Sequence, residues 1–114
     1  MTMLTNTHEI QSRRLLSSFQ DDLPESVLVA NRGEIACRVF KTAKRLGVRT
    51  VAIYTDKDLS SRHIVEADEA HKVPEYLAQD EILEICRTRG VESVHPGYGF
   101  LSENPGFAFK VEER

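Results

Sequence analysis

The chain has 114 residues, 40% hydrophobic and 29% charged, which is ordinary material for at most one soluble domain. A formal net charge of -3 gives no electrostatic ground for a nucleic-acid partner. No apolar run approaches the roughly 20 residues a membrane span requires, which sets aside a membrane partner as well.

Residues 1–24, "MTMLTNTHEIQSRRLLSSFQDDLP", are rich in Ser, Thr and Gln, carry Arg13 and Arg14, and hold one acid, Glu9, before Asp21. Two readings stay open for this leader. It has the texture of a mitochondrial transit segment, which would deliver the chain to the matrix, or it is a disordered or vector-derived leader on a cytoplasmic chain. The absence of a long apolar stretch argues against a secretory signal. Residues 25–114 are expected to form the domain.

From Ser26 the texture changes. "SVLVA" is a short β-branched apolar run, suited to a strand buried on both faces. "NRGE" opens a helical pattern with Ile35, Val39, Ala43 and Leu46 on one stripe, and Gly47 is its expected stop. "TVAIY" repeats the strand signal, so residues 27 to 54 read as a strand-helix-strand unit. Further on, "SSRHIVEA" predicts a short helix and "AHKV" a third strand. "DEILEICRTRG" predicts a helix with Asp80 as N-cap, Ile82, Ile85 and Cys86 inward and Gly90 as its stop. "ESVH" reads as a fourth strand. After the glycine loop that follows it, Asn104 caps a last helix with Pro105 at its first position. Alternating strands and helices predict an α/β fold, an open parallel sheet of about four strands with flanking helices.

The two cysteines, Cys37 and Cys86, fall inside helical segments and outside any C-x-x-C pair, which makes them reduced core residues. His8, His63, His71 and His95 are scattered, so no metal site is expected.

Ligands of open parallel sheets sit at the carboxyl ends of the strands. Two loops occupy such positions, "ANRGEI" after the first strand and "HPGYGFLSEN" after the fourth. The first has Gly33 before a helix N-terminus and Asp56 about twenty residues on, but a dinucleotide fingerprint needs three spaced glycines and no Walker lysine is present. A structural turn is the better reading of it. In the second, Gly97 and Gly99 flank Tyr98, a pattern that lets a ligand or another backbone come close.

"VLVANRGEIACRVFKTAKRLGVRTVAIYTDKD", "ADEAHKV" and "HPGYGFLSEN" together resemble the N-terminal domain of biotin carboxylase in the biotin-dependent carboxylases. The wording is most similar to the biotin-bearing α subunits of methylcrotonoyl-CoA and propionyl-CoA carboxylases. The resemblance runs from about Val27 to Ala108 and implies a Rossmann-like, pre-ATP-grasp type of sheet. It also implies ATP-dependent carboxylation of biotin by bicarbonate, with biotin, ATP and Mg²⁺ or Mn²⁺ as the family's cofactors. The partners it implies are the ATP-grasp and C-terminal domains, the biotin carrier and the carboxyltransferase.

By resemblance Tyr98 and Gly99 lie on the bicarbonate and biotin side of the cleft, Tyr98 offering a phenol and a flat face. The competing reading makes the loop a rigid turn with Tyr98 packed and with Glu103 and Asn104 holding backbone donors. Asn31, Arg32 and Glu34 are candidates for a polar network toward the neighbouring region, with Gly33 in the turn. Arg38 matches a dimer-surface position, and His95 reads as a strand-end residue. No catalytic residue is expected within this stretch, and no cofactor is expected to bind it alone.

Two departures from the family stand out. Only Pro74 and Glu75 intervene where the family carries a longer Gly-Pro-Ala-type connection, and after Phe107 the match fades. The second predicts a truncated or misassembled product, inactive alone, whose sheet keeps an uncovered apolar edge or face. The alternative is a stand-alone Rossmann-like module binding a nucleotide or a partner at its strand ends.

Overall fold

Successive side chains of a strand point to opposite faces, so an unbroken apolar run serves two cores at once. That is the situation of Ser26–Val29, here β2. In the computed structural model, which describes residues 1–4 and 24–113, Val27 and Val29 join one apolar cluster and Leu28 and Ala30 join the other. The elements follow in the order β1 (Thr2–Met3), β2, α1 (Gly33–Arg45), β3 (Arg49–Tyr54), a 3₁₀ turn (Asp56–Asp58) and α2 (Arg62–Glu66). β4 (Glu69–Lys72), α3 (Gln79–Arg89), β5 (Ser93–His95), a second 3₁₀ turn (Phe100–Glu103) and α4 (Pro105–Glu112) complete the chain.

The strands form one five-stranded sheet of order β1-β5-β2-β3-β4 in which every pairing is parallel. The open parallel α/β sheet expected from the sequence is therefore present. Helix α1 lays Ala36, Val39, Phe40 and Ala43 on one face beside Val27, Val29 and Ala52. On the other face α3 contributes Ile82, Leu83 and Cys86, and α4 contributes Phe107 and Val111, over Leu28, Val51 and Val94. Both cysteines are buried and outside any disulfide, and burial pushes the Cys37 thiol above its ordinary value.

Several local expectations are corrected. Ile35 and Leu46 are only half-buried, because the buried face of α1 is centred on Ala36, Val39, Phe40 and Ala43. Helix α3 begins earlier than expected, with Ala78 at the N-cap and Asp80 inside the first turn, where its charge faces the positive end of the helix dipole. At α4 the expectation holds: the Asn104 side chain accepts the Phe107 N–H at 3.0 Å, and Pro105 follows it.

The largest correction concerns the N-terminus. Thr2 and Met3, part of the expected leader, form a fifth strand against the outer edge of β5. The Thr2 and Leu4 N–H groups donate to the carbonyls of Glu92 (2.8 Å) and Val94 (2.6 Å), and the Met3 N–H donates to the Glu112 carboxylate at 3.1 Å. Leu4 is fully buried with Val27, Val29 and Phe40. Four residues thus close the edge, because an unpaired edge next to an apolar face is worth covering even with a short strand. The rest of the expected leader, residues 5–23, with Arg13 and Arg14, lies outside the described residues. No helix among the described residues is long and apolar enough to cross a membrane.

Candidate functional site

In a fully parallel sheet the carboxyl ends of all strands lie on one side, so the loops after β2, β3, β4 and β5 gather there. From β2 the chain steps outward to β3 and β4, then returns to place β5 on the other side of β2. The direction of winding reverses between β2 and β5, which is where open α/β sheets leave a crevice for ligands. The "ANRGEI" and "HPGYGFLSEN" loops leave these two neighbouring strands.

Asn31 joins them. It is 2% exposed, and its Nδ2 donates to the carbonyls of Pro96 (2.9 Å) and Tyr98 (2.6 Å) while its Oδ1 accepts the Arg32 N–H at 2.8 Å. Gly97 passes so close that a Cβ there would stand 2.6 Å from Asn31 Nδ2, and its φ of +67° is a left-handed conformation. Only glycine combines that approach with that backbone angle. His95, 3% exposed at the end of β5, accepts the Gly97 N–H through Nδ1 at 3.1 Å, as befits a strand-end residue.

The clamp leaves Tyr98 backbone-fixed with its side chain 79% exposed. The packed Tyr98 of the rigid-turn reading is not what the structure shows. Gly99, also at φ +67°, has open space where a side chain would stand. Of the pair expected to hold backbone donors, Asn104 does so at α4, while Glu103 is exposed.

A second polar cluster borders the crevice and is built largely from residues the sequence reading did not single out. Asp58 is 2% exposed and its Oδ1 accepts from Arg32 Nε (3.0 Å) and an Arg32 terminal nitrogen (2.6 Å). Its Oδ2 accepts from the Tyr76 hydroxyl at 2.5 Å and from Thr55 Oγ1 at 3.2 Å. The Arg32 hydrogen bonds hold the Asp58 carboxyl well below the usual carboxylate range, against the opposing effect of burial. Burial, then the bond to Asp58, pushes the Tyr76 phenol well above its ordinary value, so it stays a donor. His63 is fully buried; its Nδ1 accepts the Gly33 N–H at 3.4 Å and its Nε2 donates to the Ile53 carbonyl at 2.9 Å. The Gly33 turn is thus tied inward to α2. The ring of Tyr76 meets that of Phe100, with centroids 5.1 Å apart. Arg32, Asp58, Tyr76, Leu77 and Phe100 line a cleft of about 630 Å³.

The remaining sequence candidates stand apart from both clusters. Glu34 and Arg38 are exposed on α1, and Asp56 is an exposed partner of Lys72 at 2.7 Å. No group of three His, Cys, Asp or Glu residues suited to a metal ion occurs among the described residues. Asp58 carries one legible signal, its place just beyond a strand end, and it shares that signal with Asp56. Tyr76 directly follows the shortened connection of Pro74 and Glu75, whose path the sequence does not define.

These features define an α/β domain with a candidate site at the β2/β5 strand ends. The chain belongs to the biotin carboxylase N-terminal domain family, whose sequence description matches residues 24–114. It is 52% identical over 95 residues to the mitochondrial propionyl-CoA carboxylase alpha chain of Caenorhabditis briggsae, covering 78% of this chain and 13% of that protein. The mitochondrial methylcrotonoyl-CoA carboxylase subunit alpha of Mus musculus is 49% identical over 88 residues, covering 72% of this chain and 12% of its own length. Among solved structures, the biotin carboxylase domain of Hydrogenobacter thermophilus 2-oxoglutarate carboxylase, in complex with MgADP, ADP and bicarbonate, is similar with a TM-score of 0.77. It is 47% identical, and the match covers 79% of this chain and 21% of that one. Rhizobium etli pyruvate carboxylase matches with a TM-score of 0.76 and 38% identity, over 79% of this chain and 10% of that one. The chain therefore spans a small part of the relatives it resembles.

Proposed function

We propose that this chain acts as the N-terminal part of an ATP-dependent biotin carboxylase and supplies one wall of the cleft in which bicarbonate carboxylates biotin. The supporting observation is Tyr98, 79% exposed at the tip of a loop whose backbone the buried Asn31 holds. An exposed aromatic on a fixed backbone offers a face and a hydroxyl to a ligand at little ordering cost. Gly99 leaves open space beside it for the ureido ring. When bound, biotin provides the nitrogen that becomes carboxylated; Tyr98 and Gly99 receive and orient it.

ATP and its divalent cation would be held by the ATP-grasp and C-terminal domains. The biotin carrier and the carboxyltransferase would be the further partners, and the carboxyltransferase would choose the acceptor. Asn31 acts inside the domain, keeping the loop in register. Arg38, exposed on α1, is free to meet a second subunit. Relatives named as mitochondrial favour the matrix as the location.

The test is biotin-stimulated phosphate release. The purified chain is expected to show none and to bind no Mg-ATP in isothermal titration. Mixed with a separately expressed ATP-grasp and C-terminal portion of a carboxylase, it is expected to restore release, and Tyr98→Ala to reduce that restoration. Micromolar Mg-ATP binding by the chain alone would overturn the proposal in favour of a stand-alone nucleotide module.

A further inference from the structure

The loop between β5 and α4 is attached to the body of the domain at few points. Asn31 holds the carbonyls of Pro96 and Tyr98, and Leu101 is fully buried. Between them lie Gly99 and Phe100, and Phe100 has a φ of +48°, in the left-handed region that an aromatic residue seldom adopts. Such a conformation persists only where the surroundings impose it. Ser102 supplies local support, since its N–H and Oγ both reach the Gly99 carbonyl, at 2.9 and 2.6 Å. Those bonds shape the turn without tying it to the rest of the molecule. Phe100 is 42% exposed, so burial on its own account does not pin it.

What does meet Phe100 is the ring of Tyr76, 5.1 Å away between centroids and tilted by 36°. Tyr76 is itself 6% exposed, and its hydroxyl donates to Asp58 at 2.5 Å. Asp58 is held in turn by Arg32, Thr55 and Ser61. The ring therefore stands on a carboxylate anchored from three separate points beyond β2 and β3.

We infer that Tyr76, anchored by Asp58, is a positioning residue for the Tyr98 loop, holding Phe100 in its left-handed conformation and so fixing where Tyr98 projects. The consequence for biotin rests on the function proposed above; the positioning itself does not. Asn31 sets the entry to the loop and Tyr76 its exit. Neither alone fixes Gly99 and Phe100.

The experiment is ¹⁵N relaxation on the full chain, comparing wild type with Tyr76→Leu, Tyr76→Phe and Phe100→Ala. In wild type the amides of Tyr98, Gly99 and Phe100 are expected near the rigid-backbone order parameter of about 0.85. Tyr76→Leu is expected to bring them below about 0.6 while the amides of β2 and β3 stay unchanged. Tyr76→Phe, which retains the ring and loses the bond to Asp58, is expected to fall between. Loop amides that do not respond, or that loosen together with β2 and β3, would overturn the inference, since a purely stabilising residue loosens everything alike. Should Tyr76→Leu fail to fold, Phe100→Ala removes the other half of the contact at a part-exposed position. Loss of order at Tyr98 and Gly99 then supports the inference, and an unchanged loop refutes it. No ligand or turnover enters this measurement, so it stands or falls separately from the phosphate-release assay.

Discussion

Replacing Asn31 by alanine tests the account of the two loops most directly. The substitution removes two donated hydrogen bonds, to Pro96 at 2.9 Å and Tyr98 at 2.6 Å, and one accepted from Arg32. The Pro96 carbonyl is buried, and leaving it unpaired costs about 1–3 kcal/mol; the part-buried Tyr98 carbonyl can regain water and costs about 0.5–1 kcal/mol. The sum, roughly 2–4 kcal/mol, is a large share of the 5–15 kcal/mol typical of a domain. With no tryptophan in the chain, urea unfolding is followed by far-ultraviolet circular dichroism. At a slope of about 2 kcal/mol/M the midpoint should fall by roughly 1–2 M with the slope unchanged.

Asn31→Asp separates hydrogen-bond donation from packing, because it keeps the shape and the acceptor for Arg32 but sets a carboxylate against two carbonyl oxygens. At neutral pH it is expected to cost more than the alanine. An Asn31→Ala loss under about 0.5 kcal/mol, or an aspartate milder than the alanine, would refute the clamp. Gly97→Ala should couple to it, since the new Cβ would stand 2.6 Å from Asn31 Nδ2. The pair should cost less than the sum of the single changes by about 0.5 kcal/mol or more. The coupling is partial, because Asn31 Cβ, 3.0 Å from the same point, stays in place.

The sheet edges give three further predictions. Arg89, then His71, hold Glu69 down to about 2 from an ordinary 4.5. A depressed carboxylate contributes stability above its unfolded pKa and loses it as pH falls from about 4.5 toward 2. Glu69→Gln should therefore destabilise at pH 7 and converge with wild type near pH 2 in urea midpoints. Its partners are half-exposed, so solvent screening limits the difference at pH 7 to about 1 kcal/mol. At the other edge, Leu4→Ala empties a fully buried position and should cost about 2–4 kcal/mol in the same titration. Removing residues 1–4 should in addition expose β5 and produce concentration-dependent association in ultracentrifugation.

What was legible in the sequence was local. The β2-α1-β3 unit, the Asn104 cap and the glycine loop each depend on periodicity or on residues within a few positions of one another, and each is in the structure. Thr2 and Met3 were read as leader because a two-residue strand has no period, and its partner β5 begins at Ser93. The roles of Asp58 and Tyr76 are not legible in the sequence for a related reason. A buried carboxylate is recognisable only by its partners, and Arg32 and Tyr76 approach it from two different connections.

The site itself lies between these cases. Both loops were placed at strand ends from the sequence, yet nothing in chain order says that the first leans on the fourth strand's loop. That follows only once β5 docks beside β2, on the side away from β3, bringing Asn31 under a loop 65 positions later in the chain. The polar residues of "ANRGEI" then have tasks inside the domain: Asn31 spends both amide donors on the glycine loop, and Arg32 gives two of its donors to Asp58. Gly33 directs its N–H to His63. A nucleotide phosphate would have to displace these partners, whereas Tyr98 needs to displace nothing to receive a ligand, and for that reason the glycine loop, not the glycine turn, carries the functional reading.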